Sequence, residues 1–240
     1  MTQSTDERSS PDGTAQHETV RVFPHPVPYL VAWELQSELH RERTQAARPD
    51  TVLILEHSPV YTFGRSTRLS HCMGDETSLC SNGAEVHRVN RGGSVTFHGP
   101  GQVVAYPILK LTRHASGPRA LVWLLEEAMI RLLSRWDILG FRIPKKPGVW
   151  VGTREPEKIG FLGIRIEQGV TLHGLALNVD MDLSPFQRIH PCGFSDCRIT
   201  SMAAVRRTAI SVESVKSELA QIFRDMFRLK QTASAQTMVR

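Results

Sequence analysis

The sequence predicts an α/β fold organised around a mixed, largely antiparallel sheet. Apolar residues recur at helical spacing in three segments, and a buried-looking apolar strand, "TVLILE", begins at Thr51. Three consecutive strand candidates, "GVWV", "KIGFLGIRI" and "GVTLHGLALNV", then follow one another separated by turn residues. The first helix carries Val31, Leu35 and Leu39 at four-residue spacing, and Pro49 and Asp50 break the chain before the Thr51 strand. A longer helix starts near Pro118 and runs to Gly140. Leu121, Leu125, Met129, Leu132 and Trp136 form one stripe on it, and Glu126, Glu127, Arg131 and Arg135 fall mostly elsewhere. The third helix takes Ser211 as its N-cap and shows Val212, Val215, Leu219, Ile222, Phe223 and Met226.

A chain of 240 residues with 40% apolar content can bury a substantial core. We expect one domain over residues 20–228, with disordered or flexible tails at 1–19 and 229–240; the first tail is rich in Ser, Thr, Gly, Pro and acidic residues and resembles no signal or transit peptide. No apolar stretch approaches the roughly 20 residues that cross a bilayer, so no membrane is expected. Four cysteines do not make a disulfide scaffold, and free thiols in a cytoplasm are the expectation. The net charge of +5 fits either ordinary surface or a patch for acidic partners. Nucleic acid comes third, because the basic residues form short clusters without an aromatic ladder.

Two stretches mark a site. "RGGSVTFHGPGQ", from Arg91 to Gln102, sets two glycines before a short strand and a Gly-Pro-Gly turn after it. Alone it reads as a turn-rich hairpin, but Arg91, Thr96 and His98 add chemistry to backbone that a ligand can approach closely. "IHPCGFSDC", from Ile189 to Cys197, holds Cys192 between a proline and a glycine, where packing is a poor reason for a cysteine. A zinc set of His190, Cys192 and Cys197 with His98 or His173 can be written, yet no compact CxxC pair supports a metal.

With "EHSPVYTFGR", "RGGSVTFHGPGQVVAYPIL", "GVWV", "KIGFLGIRI", "GVTLHGLALNVDMDLSPFQRIHPCG" and "TSM" in this order, the chain resembles the lipoyl(octanoyl) transferases of the lipoate/biotin protein ligase superfamily. The resemblance implies a mixed sheet flanked by helices with a second small sheet. It implies transfer of an octanoyl group from octanoyl-acyl carrier protein to a lysine of lipoyl domains, in 2-oxoacid dehydrogenase complexes and the glycine cleavage H protein. It implies no ATP, no metal and no other cofactor, and a monomer suffices. Cys192 is the implied nucleophile and Lys158 its partner. The implied acyl site is lined by Arg91, Gly92, Gly93, Ser94, Val95, Thr96, Phe97 and His98, by Phe161, Leu162 and Gly163, and by His173, Gly174, Leu175 and Ala176.

The chemistry stands without the name. A thiol with a pKa near 8.5 is only a few per cent thiolate at neutrality, so a neighbouring cation or base is needed. Lys158 would take the thiol proton and return it to the departing sulfur. The tetrahedral intermediates want fixed N–H donors, for which the PCG turn and "LHGLA" offer backbone amides, with His98 and His173 as candidate polar neighbours. Without the motifs, Lys158 would be an edge-strand charge. Phe161 departs from the family's small residues and is expected to reshape the acyl pocket, and Ser58 replaces a common proline. Arg88, Arg91, Arg142, Lys145 and Lys146 form the expected patch that steers acidic partners. The competing functions are an ATP-dependent lipoate protein ligase and a catalytically silent binder of lipoyl domains.

Overall fold

The computed structural model describes residues 19–73, 76–80, 83–190 and 197–229. In chain order the principal elements are β1 (Thr19–Val22), α1 (Tyr29–Thr44), β2 (Thr51–Leu55), β3 (Val60–Phe63), α2 (Glu76–Cys80), β4 (Glu85–Arg88), β5 (Val95–His98), β6 (Gln102–Ile108), α3 (Leu111–His114), α4 (Pro118–Arg135), β7 (Phe141–Ile143), β8 (Lys146–Val151), β9 (Glu157–Glu167), β10 (Val170–Asn178), α5 (Met202–Arg206) and α6 (Val212–Phe227). Seven strands form the large sheet in the order β1-β2-β6-β10-β9-β8-β7, and β4-β3-β5 form a small one. Within the large sheet only the β1–β2 pairing is parallel. The mixed, largely antiparallel reading agrees with this.

The large sheet is covered on both faces. Leu121, Leu125, Met129 and Leu132 of α4 and Val215, Leu219 and Phe223 of α6 pack against Val52, Ile54, Val103, Leu175 and Leu177. On the other face Ala32 and Leu39 of α1 join Leu53, Leu55, Val104, Phe161 and Ala176, together with Tyr61, Phe63 and Phe97 of the small sheet. Strand β2 therefore has no solvent side, which is why "TVLIL" is an unbroken apolar run. Each fully buried Leu or Ile there contributes about 1.5–3 kcal/mol relative to exposure.

Several local expectations change. Helix α1 buries Tyr29, Ala32, Gln36 and Leu39, while Val31 is 54% exposed, because the face turned to the sheet includes polar residues that apolar counting passes over. Helix α4 stops at Arg135, with Asp137 at φ 53, so it does not reach Gly140. Glu126 is buried, accepting from the Gly148 N–H at 2.8 Å and pairing with Arg142. The stretch 91–102 is not a hairpin: β5 pairs with β3 in the small sheet, and the Gly-Pro-Gly turn carries the chain across to β6 in the large one. Asp50 does more than break the chain, accepting from Arg43 at 2.5 Å, His114 at 2.7 Å and the Lys110 N–H at 2.8 Å. Ser211 caps α6 as expected.

At the ends, Thr19 pairs with Thr51 and Leu229 is buried in the core. The rest of both tails, 1–18 and 230–240, lies outside the described residues. Among the described residues, no helix is long and apolar enough to cross a membrane.

Candidate active site

Lys158 sits near the start of β9, between β10 and β8, and is 2% exposed, so it is not an edge charge. Strand register explains its direction. Val149 pairs with Gly160 but Trp150 pairs with Lys158, so Ile159 is an extra residue, a bulge of the kind that re-aims side chains. Ile159 packs into the α4/α6 core, where strict alternation with Phe161 would not put it. Lys158 is thereby turned to the Phe161 side, with Nζ 5.3 Å from the Phe161 ring centre and 5.4 Å from that of Trp150. Its Nζ donates to the Pro147 carbonyl at 2.7 Å. Gly148, at φ +119, leaves the room for it: a Cβ there would meet the Gly160 carbonyl and lie 2.6 Å from Lys158 Cε.

Lys158 borders a cavity also lined by Ser66, Arg68, His71, Gly92, Gly93, Ser94, Leu162 and Gly163. Gly93, Ser94, Leu162 and Gly163 belong to a second, deeper cavity as well. The deeper one takes in most of the expected acyl site: Arg91, Val95, Thr96, His98, Phe161, His173, Gly174, Leu175 and Ala176. Two expected members fall elsewhere. Gly92 lines only the Lys158 side, and Phe97 faces away, packed edge-on to Phe186 and against Tyr61, because alternation in β5 opposes it to Thr96 and His98.

Cys192 lies outside the described residues, as does the rest of 191–196. The flanking residues are described. Before it, the His190 N–H donates to the His71 carbonyl at 2.8 Å, and Ile189 bridges to Cys72. After it, the chain runs beside Lys158: the Lys158 N–H donates to the Arg198 carbonyl at 2.8 Å, and the Thr200 N–H to the Lys158 carbonyl at 3.0 Å. Both flanks therefore adjoin residues of the Lys158 cavity.

A polar relay runs behind the deeper cavity. His98 Nδ1 donates to Gln102 Oε1 at 2.6 Å, Gln102 Nε2 to Asn178 Oδ1 at 2.9 Å, and Asn178 Nδ2 to the Thr200 carbonyl at 2.9 Å. Three of the sequence motifs thus meet in one network that ends beside Lys158, in a fourth. His57 lies next to it, its Nδ1–H donating to the Val27 carbonyl at 2.8 Å and its Nε2 accepting from the Tyr106 hydroxyl at 2.7 Å. His173 has a left-handed backbone, φ 57, which stacks its ring on Trp33 at 5.0 Å and lets it donate to Asn90 at 2.6 Å. Its N–H is taken by Gln36 Oε1 at 3.0 Å, so that amide is not free for an oxyanion. Arg91 turns inward to the Thr62 hydroxyl and carbonyl, and Arg142 is held by Glu126, Glu127 and Trp123. Neither belongs to an open steering patch; Arg88, Lys145 and Lys146 remain exposed.

Burial is the first cause of depressed histidine pKa values here. It pushes His57 down to about 4, and His98 and His173 to about 3, with His57 and Arg91 adding to the shift of His98 and Arg91 and Arg165 to that of His173. All three are neutral at pH 7. Unfolded, each titrates near 6.5, so the unfolded chain binds protons that the folded one refuses once the pH falls below that value. Stability is full above about pH 6.5 and is lost towards the folded values, by up to about 1.4 kcal/mol per pH unit for each histidine. The urea midpoint is expected to fall steeply between pH 7 and 5; a flat profile over that range contradicts the assignment.

A family model for the lipoyl protein ligase A/B catalytic domain matches residues 28–224. The chain belongs to this family. An octanoyltransferase of Thermobifida fusca is 44% identical over 195 residues, covering 79% of this chain and 80% of its own length. An octanoyltransferase of Chloroflexus aurantiacus is 40% identical over 213 residues, covering 88% and 95%. A lipoate-protein ligase A solved with ATP aligns over 90% of both chains with TM-score 0.66 at 14% identity. A bipartite lipoate protein ligase of Thermoplasma acidophilum, studied with its E2 lipoyl domain, aligns over 91% of this chain and 86% of its own, with TM-score 0.65 at 13% identity. At such identities the likeness is one of fold, and it matches the sheet-and-helix arrangement expected of the family.

The site also holds residues that the motifs do not single out. Tyr29, Thr62, Val104 and Tyr106 line the deeper cavity, and Gln102 and Asn178 form the relay. For the last two a signal existed: a Gln and an Asn set beside the apolar runs "VVAYPIL" and "LAL" are candidates for a buried polar network.

Proposed function

We propose that the chain is an octanoyltransferase of protein lipoylation, taking the octanoyl group from acyl carrier protein onto Cys192 and passing it to a lysine of a lipoyl domain. The observation that carries this reading is the buried, re-aimed Lys158 in the wall of a cavity that shares four residues with the expected acyl site, with the residues that flank Cys192 against the same cavity. In the first half-reaction Lys158 accepts the Cys192 thiol proton. The thiolate sulfur bonds to the acyl carbon, the bond to the pantetheine sulfur breaks, and that sulfur receives the proton. In the second, the acceptor amine attacks the same carbon, Lys158 takes its proton, and the returning Cys192 thiolate recovers it. Neither half needs a nucleotide or a metal.

Relatives named octanoyltransferase at 38–46% identity support the transfer over ligation. The similarity of a ligase studied with its lipoyl domain agrees with a lipoyl domain as acceptor. The acyl carrier protein as donor and action as a monomer in a cytoplasm belong to the same reading. The test is intact mass spectrometry after incubation with octanoyl-acyl carrier protein, with ATP and acceptor omitted. One octanoyl adduct is expected, labile to hydroxylamine, mapping to the Cys192 peptide, absent in Cys192→Ser and discharged by lipoyl domain. Turnover of free octanoate that requires ATP, with no adduct, overturns the reading.

A further inference from the structure

The wall of the deeper cavity is part apolar and part polar. It shares Gly93, Ser94, Leu162 and Gly163 with the Lys158 cavity, and Phe161, Leu175 and Ala176 supply apolar surface. The remaining wall is polar, with Tyr29, Thr62, Arg91, Thr96, His98 and Tyr106. Ring and hydrogen-bond contacts link these into one polar strip, with Arg91 beside Gly93 and Gly163. Tyr29 lies 5.3 Å from His57, which accepts from Tyr106 and lies 5.8 Å from His98. Thr96 is paired across the small sheet with Thr62, whose hydroxyl accepts from Arg91.

Two hydroxyls on this polar wall are unaccounted for. Tyr29 Oη and Thr96 Oγ1 are buried and have no hydrogen-bond partner among the described residues, although Tyr29 is only 3% and Thr96 8% exposed. Burial has also pushed the Tyr29 phenol up to about 12, so it stays protonated, a donor as well as an acceptor. A hydrocarbon tail can satisfy neither group, whereas water can satisfy both. Any chain long enough to touch this floor must displace that hydration and leave the hydroxyls facing methylene groups.

We propose that Tyr29 and Thr96 form a polar floor that limits the length of the acyl chain by hydration, and not by volume alone. The inference rests on the reading of this cavity as an acyl site. Each hydroxyl stripped without replacement is expected to slow transfer of an over-long chain about tenfold. Tyr29→Phe and Thr96→Val keep the shape of the floor and remove its hydroxyls, and both are expected to fold because those hydroxyls bond to no described group.

The experiment measures rates of hydroxylamine-labile adduct formation with acyl carrier protein loaded with octanoyl, decanoyl and dodecanoyl groups. The dodecanoyl-to-octanoyl ratio should rise about tenfold in each variant and about a hundredfold in the double variant, while Thr96→Ser keeps the parent ratio. An unchanged ratio in both single variants, with the parent still accepting octanoyl, means that the limit is steric and overturns the floor. If the parent forms no adduct with any donor, the transfer reading fails and the floor falls with it.

Discussion

Lys158→Met is expected to lower the rate of acyl-enzyme formation by about 10²–10⁴-fold, the range typical of losing a positioned proton-transfer group. The side chain is almost fully buried, donates to the Pro147 carbonyl and lies over the Trp150 and Phe161 rings. Methionine fills similar volume, so packing changes little and the loss reports on charge and proton transfer. Lys158→Arg separates the two roles. Arginine keeps a cation near the thiol but gives up no proton near neutrality, so it should restore part of the adduct formation and still discharge slowly onto the acceptor amine. Single-turnover mass spectrometry of each half-reaction measures both. If Lys158→Met forms adduct at the parent rate, Lys158 is structural and another base must be found.

Gly148→Ala is expected to cost about a hundredfold in kcat/KM, close to the effect of displacing a reacting group by about an ångström. At φ +119 any other residue is strained, and its Cβ would crowd Lys158 Cε and the Gly160 carbonyl. Gly148 also gives its N–H to the buried Glu126, so relief by moving β8 loosens a second contact. A melting curve should show a moderate loss beside the large kinetic one. Parent-like kinetics would mean that β8 yields at no cost to the lysine.

The chain's periodicities carried the large sheet and the helices α4 and α6, whose apolar stripes are strong and whose caps are local. Helix α1 was harder, since its buried face includes Tyr29 and Gln36, residues that serve the site and weaken the apolar pattern. Lys158 could be named from its motif, but its direction depends on an extra residue, Ile159, that alternation cannot reveal. The same holds for His173, turned towards Trp33 by a backbone angle that no local residue type demands. Phe97 is the reverse case: it was expected in the site, although simple alternation against Thr96 and His98 already turns it away. Tyr29, Thr62 and Tyr106 reach the cavity from three elements outside the glycine-rich stretch, so only the assembled sheet brings them together.

The pairing of Lys158 with Ile199, and of β6 with β10, has a consequence for the order in which the molecule can be made. A chain leaving the ribosome has its glycine-rich stretch and Tyr29 long before residues 170–200 emerge to join them. Until α6 arrives, the Lys216 ammonium is also missing from Glu56 and from the carbonyl of Phe23, which it holds at 3.3 and 2.9 Å. A half-synthesised chain therefore lacks the walls that residues 161–176 supply to the deeper cavity, and its Lys158 strand has yet to gain Ile199 as a neighbour.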